Sequence, residues 1–163
     1  MPRRLLAFDP GLVTGWSYWS FGPAQAMLRE DYGLIRGGAE GVIDFCITHH
    51  RYLRESVVVC ERFVPEKLGV ELTVPIRIEG ALMATCASFA VPPPEFQLRS
   101  RKRNVGDATL RRAGLWLKGS DPKIDWTDAR DVNDSQLHAL AWAKDGEHEP
   151  TLRAYWGEDS WDE

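Results

Sequence analysis

Leu5-Leu6-Ala7-Phe8-Asp9-Pro10-Gly11, followed by Thr14-Gly15-Trp16, is the stretch from which the rest of the chain is best read. Four apolar residues in a row suit a short buried strand. Pro10 and Gly11 match the two central positions of a type II turn. Asp9 then stands at the carboxyl end of a strand, where ligand sites of open α/β sheets lie. Working outward, Gly15–Phe21 is an aromatic-rich second strand and Ala24–Ile35 a third, forming a meander that Gly37-Gly38 ends. Val42, Ile43, Cys46, Ile47 and Leu53 fall on one side of a helix over about residues 39–54. Ser56-Val57-Val58-Val59-Cys60 is the continuous run expected of a strand buried on both faces, and Glu61 follows at its end. A helix over 72–89 leads through Pro92-Pro93-Pro94 to a short strand within 90–98. Residues 99–112 read as a basic loop entering a helix, and 128–144 as the final helix. This order predicts an α/β domain with a mixed five-stranded sheet flanked by helices.

Length and composition agree with one domain. A chain of 163 residues buries roughly 70% of its unfolded surface and needs no disulfide or metal staple. Its formal net charge of -4 excludes a uniformly basic nucleic-acid binder, but the charge is unevenly placed. Residues 145–163 hold seven acids and one Arg, whereas 1–144 hold 19 basic against 17 acidic residues. The expected division is therefore a folded domain over 1–144 and a flexible acidic tail over 145–163. Cys46, Cys60 and Cys86 lack the spacing of a disulfide framework or zinc site, which suits a reducing compartment. The four apolar residues before Asp9 are too few for a signal-peptide core. The apolar stretch Gly80–Val91 is too short for a membrane span. The expected location is the cytoplasm, with no membrane partner.

Four acids stand out by position. Asp9 and Glu61 end two strands, and they come side by side if those strands are neighbours. Asp131 and Asp134 are three apart on the last predicted helix, with His138 four further on, so all three share a face. Leu137 and Ala141 continue that face, which turns it toward the sheet. Inward carboxylates are costly unless paired or bound to a cation. Four of them converging would suit Mg²⁺ or Mn²⁺, since hard cations take oxygen ligands. Taken singly, each has an ordinary role. Asp9 would form a turn, and Glu61 would pair with Arg62 or Lys67. Asp131 and Asp134 would favour a helix N-terminus, and His138 would be a satisfied core residue. The joint pattern is what carries weight.

That pattern resembles the RuvC family of Holliday junction resolvases, closest to the short phage-encoded forms. The likeness rests on Leu5–Gly11 with Thr14-Gly15-Trp16, on Val57–Glu61, and on Asp131-Val132-Asn133-Asp134 with His138-Ala139-Leu140. It spans roughly residues 4–144. The resemblance implies an RNase H-like fold with Asp9, Glu61, Asp131 and Asp134 as catalytic, metal-holding acids, and His138 as a neighbour that orients water or a ligand. It implies two Mg²⁺ ions, with Mn²⁺ as a substitute, and hydrolysis of DNA phosphodiesters to 5′-phosphate and 3′-hydroxyl ends. It also implies a homodimer acting on four-way junctions, forks or flaps, in the host cytoplasm if the chain is phage-encoded. Three departures bear on junction specificity. Cellular members of the family usually have one more residue between the Pro-Gly and the Thr-Gly than stands here between Gly11 and Thr14. Asp134 is followed by Ser135-Gln136-Leu137 in place of Ala-Leu-Ala. A Lys-rich, glycine-containing segment is replaced by Gln97-Leu98-Arg99-Ser100-Arg101-Lys102-Arg103.

The cations Arg99, Arg101, Lys102, Arg103, Arg111 and Arg112 are expected to bind DNA phosphates, Arg77 and Lys118 extending the surface. Phe63 and Trp116 serve either core packing or base stacking. Other functions have weaker support. A less selective flap or fork nuclease keeps the same site. A non-catalytic DNA-binding module would not need four acids. An actin-like or sugar-kinase-like ATPase would need a second Asp-x-Gly loop and a longer chain.

Overall fold

A computed structural model describes residues 3–64, 73–118, 121, 123–124 and 128–157. Five strands form one sheet in the order β3-β2-β1-β4-β5. Strands β1 (Arg3–Asp9), β2 (Val13–Gly22) and β3 (Gln25–Arg36) form the antiparallel meander, while β4 (Ser56–Arg62) and β5 (Glu95–Leu98) run parallel to β1. The mixed five-stranded sheet read from the sequence is therefore present.

The side-chain alternation of β1 separates two cores. Leu6 and Phe8 face Val42, Phe45, Ile78 and Leu82 from α1 (Gly38–Thr48) and α3 (Thr73–Ser88). Leu5 and Ala7 face the opposite way, toward Leu137, Leu140 and Ala141 of α6 (Ala129–Asp145). Val57 and Val59 of β4 share that second face. The odd-numbered residues that continue these rows, Asp9 and Glu61, therefore point toward α6 and not toward α1 and α3.

Four features differ from the sequence reading. The helix expected over 39–54 is two helices, α1 and α2 (His50–Glu55), because His49 leaves helical geometry at φ -107° and ψ 35°. The corner after Asp9 is no type II turn, since Gly11 is not among the glycines with positive φ. Thr14 closes that corner instead: its hydroxyl donates to the Gly11 carbonyl at 3.1 Å and accepts from the Gly11 amide at 3.3 Å. The basic segment enters the expected helix, α5 (Asp107–Arg112), but its first part is a short helix, α4 (Arg99–Arg103), and not a loop.

The fourth difference concerns the acidic segment. Within it, Glu149–Trp156 form helix α7 and dock on the edge strand β3. The Met27 amide donates to the Thr151 hydroxyl at 2.9 Å, and the Tyr155 hydroxyl donates to the Met27 carbonyl at 2.8 Å. An exposed strand edge invites pairing with other chains, and α7 covers this one. The segment expected to be a flexible tail is thus helical over Glu149–Trp156; residues 158–163 lie outside the described residues. Among the described residues no helix is long and apolar enough to cross a membrane.

Candidate active site

Sheet register builds the first half of the site. The parallel pairing of β1 with β4 matches Phe8 to Cys60, so the next residues, Asp9 and Glu61, stand side by side. The pairing of β4 with β5 matches Glu61 to Gln97. Asp9, Glu61 and Gln97 thus form one row across three strand ends.

Helix α6 supplies the second half, and Gly15 sets its distance. Gly15 pairs with Asp9 across the β1–β2 ladder. A Cβ built on Gly15 would lie 1.9 Å from the Asp131 carbonyl oxygen, so only glycine lets the first turn of α6 rest on β2. The Thr14-Gly15 pair thereby has two physical jobs, closing the corner and admitting the helix. From that seat α6 directs Asp134 and His138 over the strand ends.

The acids converge on one point, and a side chain of the protein occupies it. The Lys102 ammonium lies 3.1 Å from Asp9 Oδ1, 2.8 Å from Glu61 Oε2 and 2.8 Å from Asp134 Oδ2. Lys102 is only 8% exposed. It was expected among the phosphate-binding cations; the structure turns it inward, away from its neighbours Arg101 and Arg103. Helical geometry explains this, because successive residues of α4 point about 100° apart, so Lys102 faces the acids while Arg101 and Arg103 face solvent. His138 is fully buried, with Nε2 2.8 Å from Glu61 Oε2 and 3.9 Å from Asp9 Oδ1. Among the described residues, Asp9, Glu61 and His138 place one ligand atom each within 4.8 Å of one another.

Asp131 does not share in this ring. It lies on the same helix at the margin of the cluster, where burial and the charges of Asp128 and Asp134 push its carboxyl up to about 6. Burial pushes Asp9 further, to about 8; Lys102 opposes the rise, while Glu61 and Asp134 add to it. Glu61 moves the other way, down to about 2: burial raises it, but the hydrogen bonds from His138 and Lys102 outweigh that. Burial pulls the Lys102 ammonium down, but Asp9, Asp134 and Glu61 together hold it above its usual range. One ammonium among three carboxylates leaves the cluster short of positive charge.

Comparison of the fold with solved structures is decisive. The chain matches Thermus thermophilus RuvC with a TM-score of 0.61 and 13% identity, over 88% of this chain and 96% of that one. The fold is that of RuvC. A second Thermus thermophilus RuvC structure, in complex with a Holliday junction substrate, matches with a TM-score of 0.59 and 11% identity, over 90% of this chain and 97% of that one. The yeast mitochondrial Holliday junction resolvase Ydc2 matches with a TM-score of 0.58 and 14% identity, over 92% and 82%. No family model and no curated protein matches the sequence. The RuvC, RNase H-like architecture expected from the sequence motifs is thus observed.

The remaining cations of the basic segment are exposed on the RuvC-like scaffold. Arg99, Arg101, Arg103, Arg111 and Arg112 all face solvent. Arg101 pairs with Asp145 at 3.1 Å, and Arg111 lies 4.1 Å over the Trp116 ring. Trp116 packs at the margin of the α6 core, which supports its packing role. Beside Asp134 opens a cavity of about 450 Å³, lined also by Trp116, Leu117, Arg130 and Asn133. Gln97 escaped the sequence reading as a site residue. The rule that singled out Asp9 and Glu61, a polar residue at a strand end, would have found it.

Proposed function

We infer that this chain is a Mg²⁺-dependent endonuclease that cuts branched DNA, four-way junctions foremost. The observation that carries this is the convergence of Asp9, Glu61 and Asp134 on the single point held by the Lys102 ammonium. A cationic group bound by three carboxylate oxygens within 3.1 Å marks a place built for positive charge. The donor set is oxygen, as Mg²⁺ and Mn²⁺ require. These residues therefore fit the two ions that the sequence motifs imply. Asp9, Glu61 and Asp134 would hold them, with Asp131 completing the set. Bound divalent ions supply a hydroxide nucleophile near neutral pH and stabilise the leaving oxygen of a phosphodiester.

The chain's own groups supply the rest. Glu61, ionised far below neutral pH, stays a full negative charge throughout the working range. The exposed arginines flank an acidic site that would otherwise repel DNA, and their planar guanidinium groups grip phosphates in pairs of hydrogen bonds. The cavity beside Asp134 gives a strand room next to that acid. The likeness to two junction resolvases supports the choice of branched substrates. Symmetric cutting of a junction needs two sites, hence a homodimer. Ile76 and Met83, seven apart on α3 and both exposed, offer an apolar strip for that contact.

The test is a panel of synthetic four-way junction, fork, flap and linear duplex DNA, incubated with the protein and Mg²⁺ beside an Asp9→Asn control. Cleavage of the junction with 5′-phosphate ends, absent in the control, is the expected result. No cleavage of any substrate, or full activity of Asp9→Asn, would overturn the hydrolase reading. Faster cutting of flaps or forks would reassign the substrate and leave the chemistry in place.

A further inference from the structure

His138 has two nitrogens and only one proton when neutral, so its partners decide which one faces the acids. Gln97 lies against its Nδ1 at 3.1 Å. The Gln97 amide has two orientations. With its oxygen toward Nδ1, that oxygen also confronts the His138 carbonyl, and its nitrogen confronts the Trp142 amide. The opposite orientation satisfies every group. The Gln97 nitrogen then donates to Nδ1 at 3.1 Å and to the His138 carbonyl at 3.2 Å, and its oxygen accepts from the Trp142 amide at 3.2 Å. An Nδ1 that accepts carries no proton. The proton sits on Nε2, which donates to Glu61 Oε2 at 2.8 Å. His138 is fully buried, and water does not compete for either nitrogen.

We propose that Gln97 is a positioning residue that locks His138 as a hydrogen-bond donor to Glu61, thereby fixing that carboxylate and keeping imidazole nitrogen out of the metal-ligand set. A protonated Nε2 has no lone pair to offer a cation. The site keeps its all-oxygen character, which favours Mg²⁺, although a histidine stands within ligand distance of Asp9 and Glu61. Imidazole would otherwise draw the site toward transition metals. The sheet register builds the device, since Gln97 pairs with Glu61 between β4 and β5 and so stands one strand from the carboxylate it positions through His138. The inference rests on the metal-site reading above for its second half only.

The first measurement needs neither DNA nor metal. Two-bond ¹H–¹⁵N correlation spectra of the full chain report which nitrogen of His138 is protonated. The expected form is the Nε2–H tautomer. A native Nδ1–H tautomer, or an imidazolium at neutral pH, overturns the proposal and leaves the metal-site reading untouched. The second measurement uses Gln97→Leu, which withdraws the donor from Nδ1 and leaves the ring free to carry its proton on either nitrogen. Calorimetric titration with MgCl₂ and with MnCl₂, without DNA, should show the ratio of Mn²⁺ to Mg²⁺ affinity rising about tenfold or more, the scale on which partners of metal ligands act. An unchanged tautomer or an unchanged ratio overturns it. If Gln97→Leu does not fold, Gln97→Met removes the amide with a more adaptable side chain, and its His138 should lose the fixed Nε2–H form; retention of that form overturns the lock. A native chain with the Nε2–H tautomer that binds neither ion overturns the metal-site reading and the ligand-set half of this proposal, while the hydrogen-bond lock stands.

Discussion

Asp9 and Lys102 make opposite contributions to the metal-free protein. The Asp9 carboxyl is pushed up to about 8 by burial and by its acidic neighbours, against Lys102. A folded-state pKa above the unfolded value means that the folded state holds the proton more tightly. Stability from this group is full below about pH 4 and falls as pH rises toward about 8. Asp9→Asn carries no such penalty. Without metal it should melt higher than the native chain at pH 8, the gain shrinking to nothing near pH 4. Differential scanning calorimetry at both pH values checks this, and a gain that is larger at low pH would contradict the assignment. Lys102→Met leaves three buried carboxylates without their cation. Its metal-free form should lose about 3 kcal/mol, the usual scale for breaking a buried ion pair. Saturating Mg²⁺ should restore much of the loss in urea unfolding. Position 102 also shows a limit of linear reading: five residues from Arg99 to Arg103 include four cations, and nothing in their order says which turns inward.

At the level of elements, the contact of β2 with α6 sets the geometry of the acids. Gly15→Ala forces the first turn of α6 off the sheet, because the new methyl would overlap the Asp131 backbone. Overpacking of this kind costs about 1–3 kcal/mol. The expected phenotype is a folded protein that binds DNA but has lost most of its cleavage, measured as Kd against single-turnover rate. Loss of DNA binding in proportion to cleavage would argue against the positioning role. Asn133 adds a second fastening: its carboxamide accepts from the Leu117 amide at 3.0 Å and donates to the Leu117 carbonyl at 3.2 Å. The segment after α5 is thereby tied to the helix that carries Asp134. On α4, Arg101→Ala with Arg103→Ala should weaken DNA binding and lower the slope of log K against log salt by about 2, close to 0.9 for each phosphate contact. An unchanged slope would take these two arginines out of the interface.

For the whole molecule, the placement of α7 alters where the folded unit ends. A chain stopped at Glu147 loses the two hydrogen bonds to Met27 and the buried Leu152. At about 1 kcal/mol for each hydrogen bond and about 2 kcal/mol for the leucine, the loss is roughly 4 kcal/mol. A drop in Tm of about 8–16 °C follows for a chain of this size. Thermal melting that is unchanged by the truncation would show that α7 adds nothing to the fold. The charge of the segment misleads the sequence reader here. Asp145, Glu147 and Glu149, its acids among the described residues, are exposed, while Thr151, Leu152 and Tyr155 of α7 reach inward.

The sequence by itself determined the strand meander, the buried Val57–Cys60 strand and the three acids Asp9, Glu61 and Asp134, because apolar periodicity and strand-end position are local properties. It also carried the RuvC resemblance that the fold bears out. Tertiary structure alone decided that Lys102 fills the acid ring, that Asp131 stands at its margin, and that Gln97 lies against His138 Nδ1. Those three facts depend on which side of a short helix or strand meets a residue many positions away, and on the sheet register that brings Asp9, Glu61 and Gln97 into one row. Side-chain direction across such distances is set by packing of the whole chain, and no window of sequence contains it.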